Sequence, residues 1–153
     1  MKFETTRFGT LEIEEKQIIE FPDGLYGFEK EARFILLPFN PKVESPMEWM
    51  QSVLSPHLAF VVTDPYLYVP DYKLKLMDED KKKVGLDADE SFLTRCIVTI
   101  PENYTEMTAN LVAPVVINSE KGMAKQFVLT SMEYDTRHFL LPEEMRTPTA
   151  APH

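Results

Sequence analysis

The apolar residues of this chain come in short runs that proline or asparagine ends. An unbroken apolar run covers residues 58–62 and stops at Asp64 and Pro65, and another covers residues 115–117 and stops at Asn118. Proline fixes φ and removes a backbone donor, so it belongs at the ends, edges and bulges of strands. The pattern predicts many short β-strands with built-in interruptions.

Strict alternation of apolar and polar residues adds strands with one buried face. Leu11 and Ile13 alternate with Glu12 and Glu14, which is the period of two expected of such a strand. The predicted strands cover residues 3–5, 10–14, 17–21, 34–37, 49–54, 58–62, 66–69, 93–100, 107–113, 114–117 and 125–131.

Turns and helices take up little of the remaining chain. Residues 21–28 predict a double turn at Gly24 and Gly27, with Leu25 and Phe28 packed beneath the sheet. Residues 78–84 predict a helix that Asp78 caps and Gly85 ends, and residues 87–92 predict one more helical turn.

These elements predict a mostly β chain of a single domain, a small β-barrel-like or sandwich fold with one or two short helices. The domain is expected over residues 1–140, and residues 141–153 are expected to form a mobile C-terminal tail because they offer little to bury. Strands that end at proline resist edge-to-edge pairing, so we expect a monomer.

Composition narrows the class of protein. The one cysteine, Cys96, cannot form an internal disulfide and is expected to be a small buried side chain. Residues 1–7 lack a signal-peptide core, and no apolar run is long enough to cross a membrane. We therefore expect a soluble cytoplasmic protein. Its net charge of −9 argues against direct binding of nucleic acid.

The residue types that carry catalysis or bind metals are scattered. His57, His138 and His153 have no metal-ligand spacing, and the acids near Asp87 lack the glycine and later glutamate of a calcium loop. The sequence contains no nucleophile elbow, phosphate loop or paired-cysteine motif. We predict no metal, no cofactor and no enzymatic activity.

The turns and apolar runs form a set of distinctive segments, which are FPDGLYGFE at 21–29, FILLP at 34–38, WMQSV at 49–53, LAFVVTDP at 58–65, PDY at 70–72, IVTIP at 97–101, MTANL at 107–111 and APVVIN at 113–118. In these segments the chain resembles the bacterial flagellar assembly factor FliW family, and the resemblance covers most of its length, about residues 3–138. The chain departs mildly at Met50, where leucine is commoner, and in a longer tail.

The resemblance implies a non-enzymatic, β-barrel-like regulator with two protein partners. One is flagellin, and the other is the carbon storage regulator CsrA, which represses translation of flagellin mRNA. Once flagellin is exported, the freed regulator would capture CsrA away from its RNA-binding face and relieve repression allosterically.

The hypothesis for a partner-binding surface falls on residues 64–72. If residues 66–69 form a strand, the tyrosines and the pair Leu67 and Val69 face opposite sides, so one set can point outward. The candidate residues are Asp64, Tyr66, Tyr68, Asp71 and Tyr72. The alternative is a small-ligand-binding β-barrel in which the tyrosines line a cavity.

Overall fold

The fold is described from a computed structural model, which describes residues 1–87, 91–130 and 133–146. This part of the chain contains eleven short strands and one α-helix, α1 (Asp78–Lys83). The strands are β1 (Lys2–Thr5), β2 (Gly9–Glu12), β3 (Ile19–Glu20), β4 (Arg33–Pro38), β5 (Met47–Ser52), β6 (Ala59–Thr63), β7 (Leu93–Thr99), β8 (Thr108–Ala109), β9 (Val115–Asn118), β10 (Met123–Gln126) and β11 (His138–Phe139). The predicted mostly β fold is confirmed.

Seven strands close into a barrel in the order β7-β6-β5-β4-β3-β10-β9, and β9 returns to β7. The closure depends on β7 sharing one edge between two partners. Its first residues, Leu93–Arg95, pair with β9, while Val98 and Thr99 pair with β8. Closing the sheet pairs strand edges that would otherwise be open to other chains. Of the two predicted architectures, the chain adopts the barrel.

The barrel interior is filled with side chains. Phe34 of β4 lies there against Phe21, with 5.1 Å between the ring centroids, and both are fully buried. Other fully buried members of this core are Met50, Val62, Val115 and Ile117. The next residue of β4, Ile35, points to the opposite face and packs with Ile13 and Ile18 beneath the β1–β2 hairpin. β4 is therefore buried on both faces, which explains its unbroken apolar sequence.

Three of the predicted strands are much shorter in the structure. The stretch at 17–21 keeps only β3, and its first residue, Gln17, ends a 3₁₀-helix over Glu15–Gln17. The stretch at 107–113 keeps only β8, because the Asn110 side chain accepts hydrogen bonds from the N–H groups of Val112 and Ala113. Such an asparagine turn competes with the strand ladder. β10 begins two residues before the predicted 125–131 stretch and ends at Gln126.

The predicted helix at 78–84 is confirmed, although its cap differs. Met77 occupies the cap position, and its N–H donates to Oδ2 of Asp80 over 3.2 Å. Gly85 follows the helix with φ of +71°, the left-handed conformation that glycine favours at a helix end. Of the second helical turn predicted at 87–92, residues 88–90 lie outside the described part, and residues 87, 91 and 92 are not helical.

The first residues of the predicted tail have a defined structure and contact β11. A 3₁₀-helix covers Glu143–Met145, and the Arg146 guanidinium lies 3.9 Å from the centroid of the Phe139 ring. Residues 147–153 lie outside the described part.

Candidate functional site

The segment 64–72 leaves β6 as a capped helical turn. Oδ1 of Asp64 accepts a hydrogen bond from the N–H of Tyr66 over 2.9 Å, and a 3₁₀-helix covers Pro65–Leu67. Aspartate suits the cap position and proline the first helical position, because proline lacks the N–H that would otherwise be unpaired. The prediction of a strand at 66–69 is wrong, since Asp64 and Pro65 start a helical turn where they were expected only to end a strand.

This turn changes which side chains face solvent. Leu67 is 60% exposed and its neighbour Tyr66 is 39% exposed, so these two do not alternate between faces. Tyr68 is half-buried against the barrel, and Asp71 is exposed. The predicted division of tyrosines from Leu67 and Val69 is therefore wrong, although four of the five candidate residues reach the surface.

Tyr72, the fifth candidate, lies in the core. Its hydroxyl donates to the backbone carbonyl of Leu111 over 2.6 Å, and its ring lies 4.8 Å from that of Tyr134 and 5.6 Å from that of Tyr66, between centroids. Burial raises the pKa of Tyr72 well above its ordinary value. Tyr72 thus holds the segment to the barrel and cannot present its side chain to a partner.

Cys96 packs in the same cluster as Tyr72. Its side chain is fully buried, and burial raises the pKa of its thiol to about 12. The burial of Cys96 confirms the prediction of a small buried side chain. Its thiol stays protonated at neutral pH, unlike that of a reactive cysteine.

An open groove of about 950 Å³ lies beside this turn. Asp64 and Leu67 form one side, and the loop between β4 and β5 forms the other, with Val43 exposed in that loop. Leu36 and Leu37 of β4 also line it. We refer to this depression as the first groove. It places apolar side chains on either side of a channel that the segment 64–72 borders.

The first groove carries carboxylates as well as apolar side chains. Glu44, Glu48 and Asp64 line it, together with Arg95 and Lys42. Oε1 of Glu48 lies 2.6 Å from Nε of Arg95, so these two charges largely offset each other. The other lining charges are Glu44 of the loop and Asp64 of the turn against Lys42, so three acids face two bases and the groove has a net charge of −1. Asp71 adds an exposed acid in the same segment.

An aromatic stack supports the loop side of the first groove. Phe39 stacks on Trp49 of β5 with centroids 5.5 Å apart, and the Arg7 guanidinium lies 4.3 Å from the centroid of the Trp49 ring. Such cation–π contacts stabilise by about 0.5–1 kcal/mol at exposed sites. Residues 38–48 lie between the predicted strands at 34–37 and 49–54, and their part in the site was not predicted. The signals for it were the single tryptophan and the prolines at 38, 41 and 46.

Groups suited to metal binding do not converge in the part of the chain that is described. No cluster of three or more His, Cys, Asp or Glu side chains there has the geometry to hold a metal ion. Among those residues, no helix is long and apolar enough to span a membrane. The exposed apolar side chains of Leu67 and Val43 beside the first groove are suited to contact with another macromolecule.

Comparison with known proteins gives one consistent result. A family model described as "FliW protein" matches residues 2–140. The flagellar assembly factor FliW of Alkaliphilus metalliredigens is 41% identical over 143 residues, covering 94% of this chain and 88% of that protein. The FliW of Heliobacterium modesticaldum is 39% identical over 147 residues, covering 96% of this chain and 95% of that protein.

The fold gives the same result. A crystal structure of the flagellar assembly factor FliW matches this structure with a TM-score of 0.85 at 36% sequence identity. The match covers 94% of this chain and 99% of that one.

Proposed function

The chain belongs to the FliW family of flagellar assembly factors, and from that premise we propose that it is a non-enzymatic regulator that binds flagellin and CsrA. While flagellin occupies the protein, CsrA remains free to repress translation of flagellin mRNA. After flagellin is exported, the protein captures CsrA and relieves the repression. We place this cycle in the cytoplasm, where the protein acts as a monomer.

The partner-binding surface of this proposal is the first groove with the turn beside it. The observation that carries it is the exposure of Leu67 and Tyr66 on a turn whose conformation Asp64 fixes. Covering large exposed apolar side chains with a partner is favourable, because it removes apolar surface from water. Aromatic residues are also enriched at interface centres. A surface that is already rigid also loses little conformational entropy on binding.

Carboxylates form the rim of this surface. Asp64 and Glu44 border the groove, and Asp71 extends the acidic surface along the segment. Exposed charges at the rim of an interface act mainly on association rate and partner choice. The surface therefore suits a partner with an apolar patch surrounded by basic residues.

The small-ligand-binding barrel is a poorer description of the molecule. Side chains such as Phe21, Phe34 and Met50 fill the barrel interior. The hydroxyl of Tyr72 is bonded to a backbone carbonyl and does not face a cavity. The first groove is an open depression on the outer surface and not a cavity inside the barrel.

Two substitutions test this surface directly. Leu67→Ser and Asp71→Lys change exposed side chains, so the melting temperature should move little. Leu67→Ser should weaken binding of at least one partner by about 10-fold or more, as truncating a buried interface anchor does. Binding of purified CsrA and of purified flagellin is measured separately by isothermal titration calorimetry.

The matched control is Leu54→Ser, because Leu54 has a similar exposure and lies beyond the opposite end of β5. It should leave both affinities unchanged. If Leu67→Ser binds both partners as tightly as the wild type does, the first groove is not the partner surface. If the wild type binds neither CsrA nor flagellin, the proposed function itself is wrong.

A further inference from the structure

A second groove, of about 440 Å³, lies on a different part of the barrel and shares no lining residue with the first. The double turn at residues 21–28 forms one wall with Tyr26 and Phe28. Val128, just after β10, and Arg137 also line it, and Phe60 and Ile97 contribute from the barrel strands.

This second groove is rimmed by exposed apolar side chains. Tyr26 is 59% exposed, Val128 is 53% exposed and Phe28 is 41% exposed. The sequence predicted that Phe28 packs beneath the sheet with Leu25, but only Leu25 is buried there. Phe28 instead sets its ring against Phe60 with centroids 5.2 Å apart. Several large apolar side chains around one depression indicate an interaction site.

The chain after β10 presents an unpaired strand edge at this groove. The N–H of Phe127 donates to the carbonyl of Pro114 over 2.9 Å, and that of Leu129 donates to Val112 over 2.7 Å. These bonds continue the pairing of β10 with β9. In an antiparallel pair, alternate residues direct their backbone groups to opposite edges. The N–H and C=O of Val128 therefore point away from that partner strand, and within the described part of the chain they form no hydrogen bond.

The free edge of Val128 is on the side of β10 where the double turn lies. β10 pairs with β9 on one edge and with β3 on the other, and the double turn directly follows β3. The N–H of Tyr26 donates to the buried Gln126 side chain over 2.9 Å, which fixes the turn beside β10. The same side chain donates to the carbonyl of Ala113 over 3.0 Å. The edge and the apolar wall are thus held in place together.

The charge of this groove is positive. Arg137 is the one charged residue among the residues that line it, its side chain is exposed, and no ion pair forms with it in the described part of the chain. Guanidinium groups bind carboxylates by paired, charge-assisted hydrogen bonds. A ligand that matches this lining has apolar side chains and one carboxylate.

We propose that the second groove binds an extended peptide segment of a partner protein, which adds a strand at the free edge of Val128. The main chain of the segment pairs with that backbone, its alternate apolar side chains cover Phe28 and Phe60, and its carboxylate meets Arg137. Strand addition derives affinity from main-chain bonds and specificity from every second side chain. This inference rests on a different surface from the proposed function and does not depend on it.

The test uses the full-length protein and a phage-displayed library of random octapeptides. Selected peptides should share apolar residues at every second position and one acidic residue. The tightest of them is synthesised with a fluorescent label, and its binding is measured by fluorescence polarisation. Arg137→Gln should weaken that binding about 10-fold, and an Asp-to-Asn change in the peptide should weaken it equally. Combining the two changes should add little further loss.

Val128→Pro removes the donor at the free edge, and Val128→Thr is its matched control because it keeps the N–H and the branched shape. The proline variant should lose binding and the threonine variant should retain it. If Val128→Pro lowers the melting temperature, its loss of binding does not report on the free edge. The proposal is then judged by the Arg137 substitution and the peptide substitution.

Several results would overturn the inference. The first is that the library yields no binding peptide. The second is that the apolar residues of the selected peptides recur with helical spacing. The third is that Arg137→Gln leaves peptide binding unchanged. A dimer in sedimentation velocity that Phe28→Ser dissociates would assign the groove to a second copy of the chain and would equally exclude a peptide partner.

Discussion

Asp64 determines the shape of the proposed partner surface. Its side chain caps the turn at Pro65–Leu67, and its position at the groove puts a charge beside the exposed leucine. One residue thus supplies both the local conformation and part of the acidic rim.

Two substitutions of Asp64 separate the effect of its cap from the effect of its charge. Asp64→Ala should lower the free energy of unfolding by about 1 kcal/mol through loss of the cap. It should also weaken partner binding, because Leu67 is no longer held. Asp64→Asn keeps the cap and removes the charge, so chemical denaturation should show almost wild-type stability. Equal destabilisation by Asp64→Ala and Asp64→Asn would show that capping is not the role of this residue.

At the scale of elements, the double turn at 21–28 is the connection most sensitive to backbone geometry. Gly24 has φ of +66°, and a Cβ atom there would lie 2.5 Å from the backbone oxygen of Glu29. Gly27 has φ of +86°, but a Cβ atom there would meet nothing within 4 Å. Both positions favour glycine, and only the first is also enclosed.

This difference predicts unequal effects of the same substitution. Gly27→Ala should cost about 1 to 2 kcal/mol, the strain of a left-handed conformation for alanine. Gly24→Ala should cost about 1 to 3 kcal/mol more, because the backbone must also move. Urea denaturation measures both free energies of unfolding. Equal losses from the two variants would contradict the enclosed geometry at Gly24.

Local patterns predicted most of these elements. Unbroken apolar runs marked β4 and β6, and the order of acids, lysines and Gly85 marked α1. The failure at 66–69 has a local cause, since alternating Tyr and Leu imitate a strand while Asp64 and Pro65 start a helical turn. The sequence predicted segment 64–72 of the candidate site but did not predict the first groove beside it.

Features made by distant residues could not be predicted in this way. The barrel closes because β7 divides one edge between β8 and β9, a pairing that no local pattern encodes. The first groove likewise needs the loop after β4 to lie opposite Leu67, and that placement depends on the assembled sheet. Burial of Tyr72 follows from the same long-range packing.

At the scale of the whole molecule, a net charge of −9 raises the question of RNA mimicry. A mimic of phosphates needs acids along a continuous path within a Debye length of roughly 8 Å. The densest acidic run, Asp78 to Asp80, opens α1, and three lysines complete the same helix. The proposed partner surface combines an apolar centre with separate carboxylates. We therefore expect this protein to bind CsrA away from the RNA-binding face.

The proposed antagonism is tested most directly by titrating this protein into labelled CsrA at increasing fixed concentrations of flagellin leader RNA. If the inhibition is allosteric, the apparent dissociation constant should rise with RNA and then reach a plateau, because both ligands can occupy CsrA together. If CsrA is the partner that covers Leu67, Leu67→Ser should shift the whole series to weaker binding without changing the ratio between plateau and starting value. An apparent dissociation constant that rises in proportion to RNA without limit would show direct competition and contradict the allosteric mechanism.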